Sequence, residues 1–165
     1  MMRQLFVVTL LAAQLLSSAT IAVAQSATGS IVYRGGSGPI AVEIKHAFLL
    51  KGPDQQSGLV VRRLIFSSID LGAALRGCFA MASCFDGGLR DGISVTLDVL
   101  PVLPFWFVTQ DQRVQYSGLA DRGTIELTTD TPERLAGRWS LPMTRTDGLS
   151  FDLRFDAVLT KELAK

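Results

Sequence analysis

Residues 39–51 read PIAVEIKHAFLLK, the longest cleanly alternating run in the chain. Ile40, Val42, Ile44, His46, Phe48 and Leu50 fall on one side of an extended backbone. Glu43, Lys45 and Lys51 fall on the other, with Ala41, Ala47 and Leu49 between them. Successive side chains of a strand point to opposite faces, so the pattern predicts one long strand with a single buried row. His46, the only histidine, belongs to that row.

Working outward, Ser30–Arg34 predicts a short strand before it, and Gly35-Gly36-Ser37-Gly38 a turn. A glycine-rich loop cradles phosphate when a helix N-terminus follows directly; here a strand follows. After the turn formers of GPDQQSG at 52–58, Leu59–Ser67 is apolar on both faces, as a central strand should be. Arg62 and Arg63 interrupt it on opposite sides, so one of them is expected to find an edge or a partner. Ser67–Gly77 is the one convincing helix of the globular part, with Asp70 as N-cap, Leu71, Ala74 and Leu75 at helical spacing and Gly77 as stop. Ile93–Val99 alternates again. Pro101 and Pro104 bracket an apolar run, Val102–Val108, where proline argues for an edge or a bulge. Arg113–Ser117, Thr124–Thr128, Leu135–Leu141 and Leu149–Thr160 complete the strand signals. Many short strands with regular turns predict an all-β fold, a mainly antiparallel β-sandwich or partly open barrel of about eight or nine strands, with one short helix.

A chain of 165 residues suits one domain. Residues 1–24 have the parts of a signal peptide: Arg3, an apolar segment Leu5–Leu16, and Ala22-Val23-Ala24 as a cleavage site. The apolar segment is too short for a spanning helix, so no stable membrane anchor is expected. Residues 25–165 form the single β-rich domain, secreted or periplasmic after cleavage near Ala24. The 16 Lys and Arg then lose Arg3 and come level with the 15 Asp and Glu. No basic excess remains to drive nucleic-acid binding. An outer-membrane barrel alternates too, but its aromatic girdles are hard to build from two Tyr and two Trp. In an oxidising compartment Cys78 and Cys84 are expected to form a disulfide around FAMAS.

IKHAFLL, VVRRLIFSSIDLGAAL, RLAGRWSL and SFDLRFDAVL together resemble a group of uncharacterised secreted bacterial β-sandwich domains. These carry an H-A dipeptide late in an early strand and a short Asp-capped helix after the next. The resemblance implies a fold and no activity; the cysteine pair looks like an addition of this chain.

Four places carry candidate chemistry. His46 could serve a small hydrolase if a serine such as Ser37 and a carboxylate converged on it. The plainer expectation is a polar residue whose nitrogens find partners in the core. Asp152, Arg154 and Asp156 share one face of the last strand, which favours a solvated salt-bridge ladder over acid–base chemistry. Arg62, Arg63, Arg76 and Arg90 could gather into an anion patch. In the 102–108 run, inward Val102, Trp106 and Val108 leave Leu103, Phe105 and Phe107 as an outward apolar row. Such a row marks an interaction surface or a lipid-like ligand site, unless the short helix covers it. Trp139 is expected in the core. No spaced metal-ligand motif or cofactor signature occurs.

The function expected is that of an exported, non-catalytic binding module. It would contact a protein or apolar ligand through Leu103, Phe105 and Phe107, alone or in a homo-oligomer. An inhibitor of a secreted enzyme, using the Cys78–Cys84 loop, and the hydrolase centred on His46 are the alternatives.

Overall fold

The alternating run turns a corner at Lys45. The computed structural model describes residues 25–35, 38–55, 57–86, 88–99, 101–143 and 148–164, so the expected leader at 1–24 and Ser37 lie outside it. Instead of one strand over 39–51 there are two, β2 (Gly38–Ile44) and β3 (His46–Pro53). The Lys45 amide donates to the Ser67 carbonyl at 3.1 Å, and its carbonyl accepts from the Ala27 amide at 3.1 Å. The corner shifts the parity of the buried row. Val42 and Ile44 share one core with Ala47 and Leu49, whereas Phe48 and Leu50 point into a second core behind. A strand that bends from one sheet into the next does this at a corner of a sandwich.

Eight further strands frame the corner: β1 (Ser26–Gly35), β4 (Val60–Ser67), β5 (Gly92–Thr96), β6 (Val102–Thr109), β7 (Val114–Asp121), β8 (Ile125–Asp130), β9 (Arg134–Leu141) and β10 (Leu149–Glu162). The expected all-β class is what is found. The tenth strand arises because the 39–51 run is split. One layer runs β2-β1-β10-β9-β8 and the other β3-β4-β5-β6-β7, and the whole is one curled sheet. The curl closes on one side through β10. Its first half pairs antiparallel with β1 from Ser26↔Asp156 to Tyr33↔Leu149. Where β1 begins, β3 takes its place beside β10 as the parallel partner, Leu159↔Leu49 to Glu162↔Lys51.

Between the layers lies an aromatic core. Trp139 on β9 is fully buried, 5.8 Å from the ring of Phe66 on β4 and 6.2 Å from Phe105 on β6, and stands edge-on to Phe151 at 4.5 Å. Its indole N–H donates to Thr124 Oγ1 at 3.1 Å, so the polar handle of the buried ring is satisfied. Gly137, two residues earlier, lets β8 come close: a Cβ there would sit 2.1 Å from the Glu126 carbonyl oxygen, beside the bulge at 127–129.

The outer face of the β3–β7 layer is covered by two short helices, α1 (Gly72–Gly77) and α2 (Met81–Asp86). Leu71, Leu75, Met81 and Cys84 pack there on Phe48, Leu50, Val61, Ile65 and Val108. Doubly covered strands read as continuous apolar runs, which explains 59–67. α1 is shorter than the 67–77 segment suggested. Ser67 is still in β4, and Asp70 accepts from the Gly72 amide at 2.7 Å in the turn ahead of the helix, while the cap position is Leu71.

The outward row expected in 102–108 is not outward. Leu103, Phe105 and Phe107 are 1%, 4% and 0% exposed and face the core between the layers. Val108 and Trp106 face the helices, Trp106 only half buried. Both sides of β6 are therefore covered, one by the facing layer and the other by the helix side. Pro104 fits inside this strand because it lies past Val95↔Phe105, the last pair of the β5–β6 ladder, where β7 alone is the neighbour.

Candidate functional site

Among the described residues no ladder joins β8 to the facing layer. β4, β5 and β6 of one layer face β8 of the other, and Arg62 spans the gap. Its Nε and Nη2 donate to Asp98 Oδ2 at 3.0 Å and Oδ1 at 2.9 Å, and its backbone amide donates to Oδ2 at 2.9 Å. Its Nη1 reaches Asp130, the last residue of β8. The bidentate hydrogen bonds hold the Asp98 carboxyl below its ordinary value against the opposing push of burial, and they raise the Arg62 guanidinium. Arg62 has its partners, as one of the two adjacent arginines was expected to. Arg63 has them as well, on the opposite face: its Nε donates to Thr96 Oγ1 at 3.1 Å and its Nη1 to the Met81 carbonyl at 3.4 Å.

Beside this clamp a cavity of about 170 Å³ opens between the layers, lined by Arg62, Leu97, Leu103, Arg122, Ile125 and Leu127. Four of the six are apolar. Leu97 comes from just past the end of β5, Leu103 from β6, and Ile125 and Leu127 from the inward row of β8. Arg122 sits in the 3-10 turn Arg122–Thr124 that carries the chain from β7 to β8. It is exposed and attracts Asp98 at a distance, and its guanidinium hydrogen-bonds to none of the described residues. Apolar walls with one or two convergent polar groups at a barrel mouth are the usual makings of a ligand site.

No protein-family profile, curated protein or solved structure matches this chain. Function has to be read from geometry. Of the expected row, Leu103 alone lines the seam cavity, and it does so from inside; Phe105 and Phe107 are core. Arg122, Ile125 and Leu127 carried no signal in the sequence beyond β8's alternation.

His46 is half buried and stacks on Phe48, ring centroids 6.1 Å apart and 15° from parallel. Its strand partner is Ser67, whose hydroxyl accepts from the Ile69 amide at 3.2 Å. No described side chain hydrogen-bonds the imidazole. The 152–156 ladder forms with arginines of β9: Arg138 grips Asp152 by two bonds of 2.7 Å, and Arg134 grips Asp156 at 2.8 and 2.5 Å. Both carboxyls are held below their ordinary values by these bonds. A shallow depression of about 450 Å³ lies over this ladder and is bordered by Arg138, Arg154 and Asp156. Its gripped carboxylates make it a solvated ladder, as the residue pattern suggested.

Arg62 and Arg63 take opposite faces of β4, and Arg90 pairs with Asp111 at the β6–β7 turn, so the four arginines do not gather. Cys78 and Cys84 are disulfide-bonded, as expected. Met81 and Cys84 root the loop in the helix-side core, while Phe79, next to Cys78, is 92% exposed.

Proposed function

We propose that the protein is a non-catalytic binding domain, acting after export, that takes a small apolar group with an anionic end into the seam between its layers. The observation that carries this reading is the seam cavity itself: aliphatic walls, with the Arg122 guanidinium at the mouth outside any hydrogen bond to the described residues. A cavity near 150 Å³ holds about one benzene-sized group, so the apolar part is a short acyl chain or a single ring. Arg62 is taken up by Asp98 and Asp130, which leaves Arg122 to meet the anion. The disulfide is compatible with an oxidising compartment.

Titration with hexanoate and with 1-hexanol, followed by calorimetry, tests the proposal. Hexanoate is expected to bind saturably at one site. Leu127→Phe should fill the cavity and abolish binding of both probes. Arg122→Ala should weaken hexanoate about tenfold, the worth of a charge-assisted hydrogen bond, and leave hexanol unchanged. Wild-type protein that takes up neither probe at millimolar concentration, or Leu127→Phe protein that binds like wild type, would remove the seam as the site.

A second reading has its own support. Phe79 projects from a disulfide-closed loop whose base is anchored, the arrangement of a rigid element that inserts into a partner such as a secreted enzyme. Inhibition of a panel of secreted hydrolases, lost in Phe79→Ser, is the outcome it requires.

A further inference from the structure

The curled sheet leaves three outer edges, at β2, β7 and β8. Natural sheets blunt such edges with proline, charge or a bulge, because unpaired amides and carbonyls recruit another strand. β2 carries Pro39 and Glu43. β8 carries Glu126 and Asp130 and a register shift between Leu127 and Thr129. β7 has neither proline nor bulge, and its one charge, Asp121, stands at its last position. Val114–Ala120 reads VQYSGLA, seven residues without charge or proline, in regular pairing with β6 over the whole strand. Leu119 on its outer row is 66% exposed.

From this we infer that β7 pairs edge to edge with β7 of a second copy, antiparallel across a two-fold axis at Ser117. The sequence around β7 is complementary to itself in that register alone. Arg113 and Asp121, both exposed and on the same row as Gln115, Ser117 and Leu119, face each other at each end. Between them Gln115 lies opposite Leu119, and Ser117 opposite its own copy. On the inner row Tyr116 lies opposite Gly118, over which the Phe105 ring sits, 2.5 Å from where a Cβ would be. Tyr116 already packs against Phe105 and Tyr33, at 6.1 and 6.3 Å, so the pairing would extend the aromatic core across the axis. A two-fold contact of this kind uses one patch on both subunits and closes on itself, so it yields a dimer and no fibre. The β3–β7 layers of the two copies become one continuous sheet. The inference goes beyond the seam proposal and does not depend on it. An eight-residue strand is a small interface, so a dimer in the micromolar range is expected.

Sedimentation equilibrium over concentration, with circular dichroism to check folding, tests this. The wild-type protein should show a monomer–dimer equilibrium. Ser117→Lys places two ammonium groups face to face at the axis on an exposed row and should weaken dimerisation at least about tenfold. Arg113→Asp and Asp121→Arg should each weaken it, and the double variant should restore it. Ser117→Cys should oxidise to a covalent dimer, whereas Thr128→Cys on β8 should not. A wild-type protein that stays monomeric to about 0.5 mM, a Ser117→Lys protein that dimerises like wild type, or a double reversal that fails to restore a folded protein's dimer overturns the pairing.

Discussion

Asp98 is ionised in the folded protein at the cost of partial burial, and the three hydrogen bonds from Arg62 offset that cost. The sign of its pH effect follows. A carboxyl whose folded value lies below its unfolded value near 4 stabilises the fold above that pH and stops doing so as pH falls through the folded value. Asp152 and Asp156 act in the same direction through Arg138 and Arg134, but as exposed pairs they matter less. The melting temperature is therefore expected to fall between pH 5 and pH 2. Asp98→Asn should lower stability at neutral pH by about 1–3 kcal/mol and flatten the acid limb, as read by thermal melts over that pH range. An unchanged acid limb would show that Arg62 gains little from Asp98. At this scale the sequence was informative about chemistry and silent about partners. The two adjacent arginines visibly needed partners, but Asp98 and Asp130 reach Arg62 from 36 and 68 residues away.

Single elements were legible where one face is buried and ambiguous where both are. β10 alternates buried and exposed along most of its length, and its strand pattern was plain. In β3 the run Ala47-Phe48-Leu49-Leu50 is buried on both faces, so apolar alternation passes through the Lys45 corner without showing the change of parity. β6 misled for the same reason. Periodicity says a strand is apolar on two faces, not which face meets which layer. The Cys78–Cys84 disulfide was legible in the sequence, and the structure adds the loop's anchor. Lys161 near the end of β10 donates to the carbonyls of Arg76 and Cys78 at the end of α1, where a cation is favoured. Cys78→Ala/Cys84→Ala should thus cost no more than about 2 kcal/mol, with the sandwich intact by circular dichroism and faster amide exchange confined to 78–86. Global unfolding of that variant would mean that the loop, and not the β core, holds the helices in place.

For the whole molecule, the piece that joins the layers is the last stretch of β10, past the point where β1 begins. Residues 159–162 make the only parallel ladder among the described residues, and Leu163 after them serves the core behind it. Leu159 donates its amide to the Glu133 carbonyl at 2.8 Å, and Leu163 to the Lys51 carbonyl at 2.8 Å. The Leu163 side chain is 6% exposed among the helix-side core residues, so close to β3 that a Cβ on Gly52 would sit 2.8 Å from it. The tail KELAK gave no sign of this in the sequence, because one leucine among charges has no period. Removing residues 159–165 deletes a buried leucine, worth about 2–3 kcal/mol, together with backbone hydrogen bonds worth about 1 kcal/mol each. That loss is comparable to the whole stability of many domains. The truncated chain is expected to keep strand-rich circular dichroism, since β1, β2, β8 and β9 still pair with or beside β10. It should lose its sharp thermal transition and bind a hydrophobic dye as the β3–β7 layer comes away. Leu163→Ala, which spares the ladder, should melt cooperatively at a lower temperature. A truncated protein that melts as sharply and as late as wild type would show that the two layers are held by their aromatic core alone.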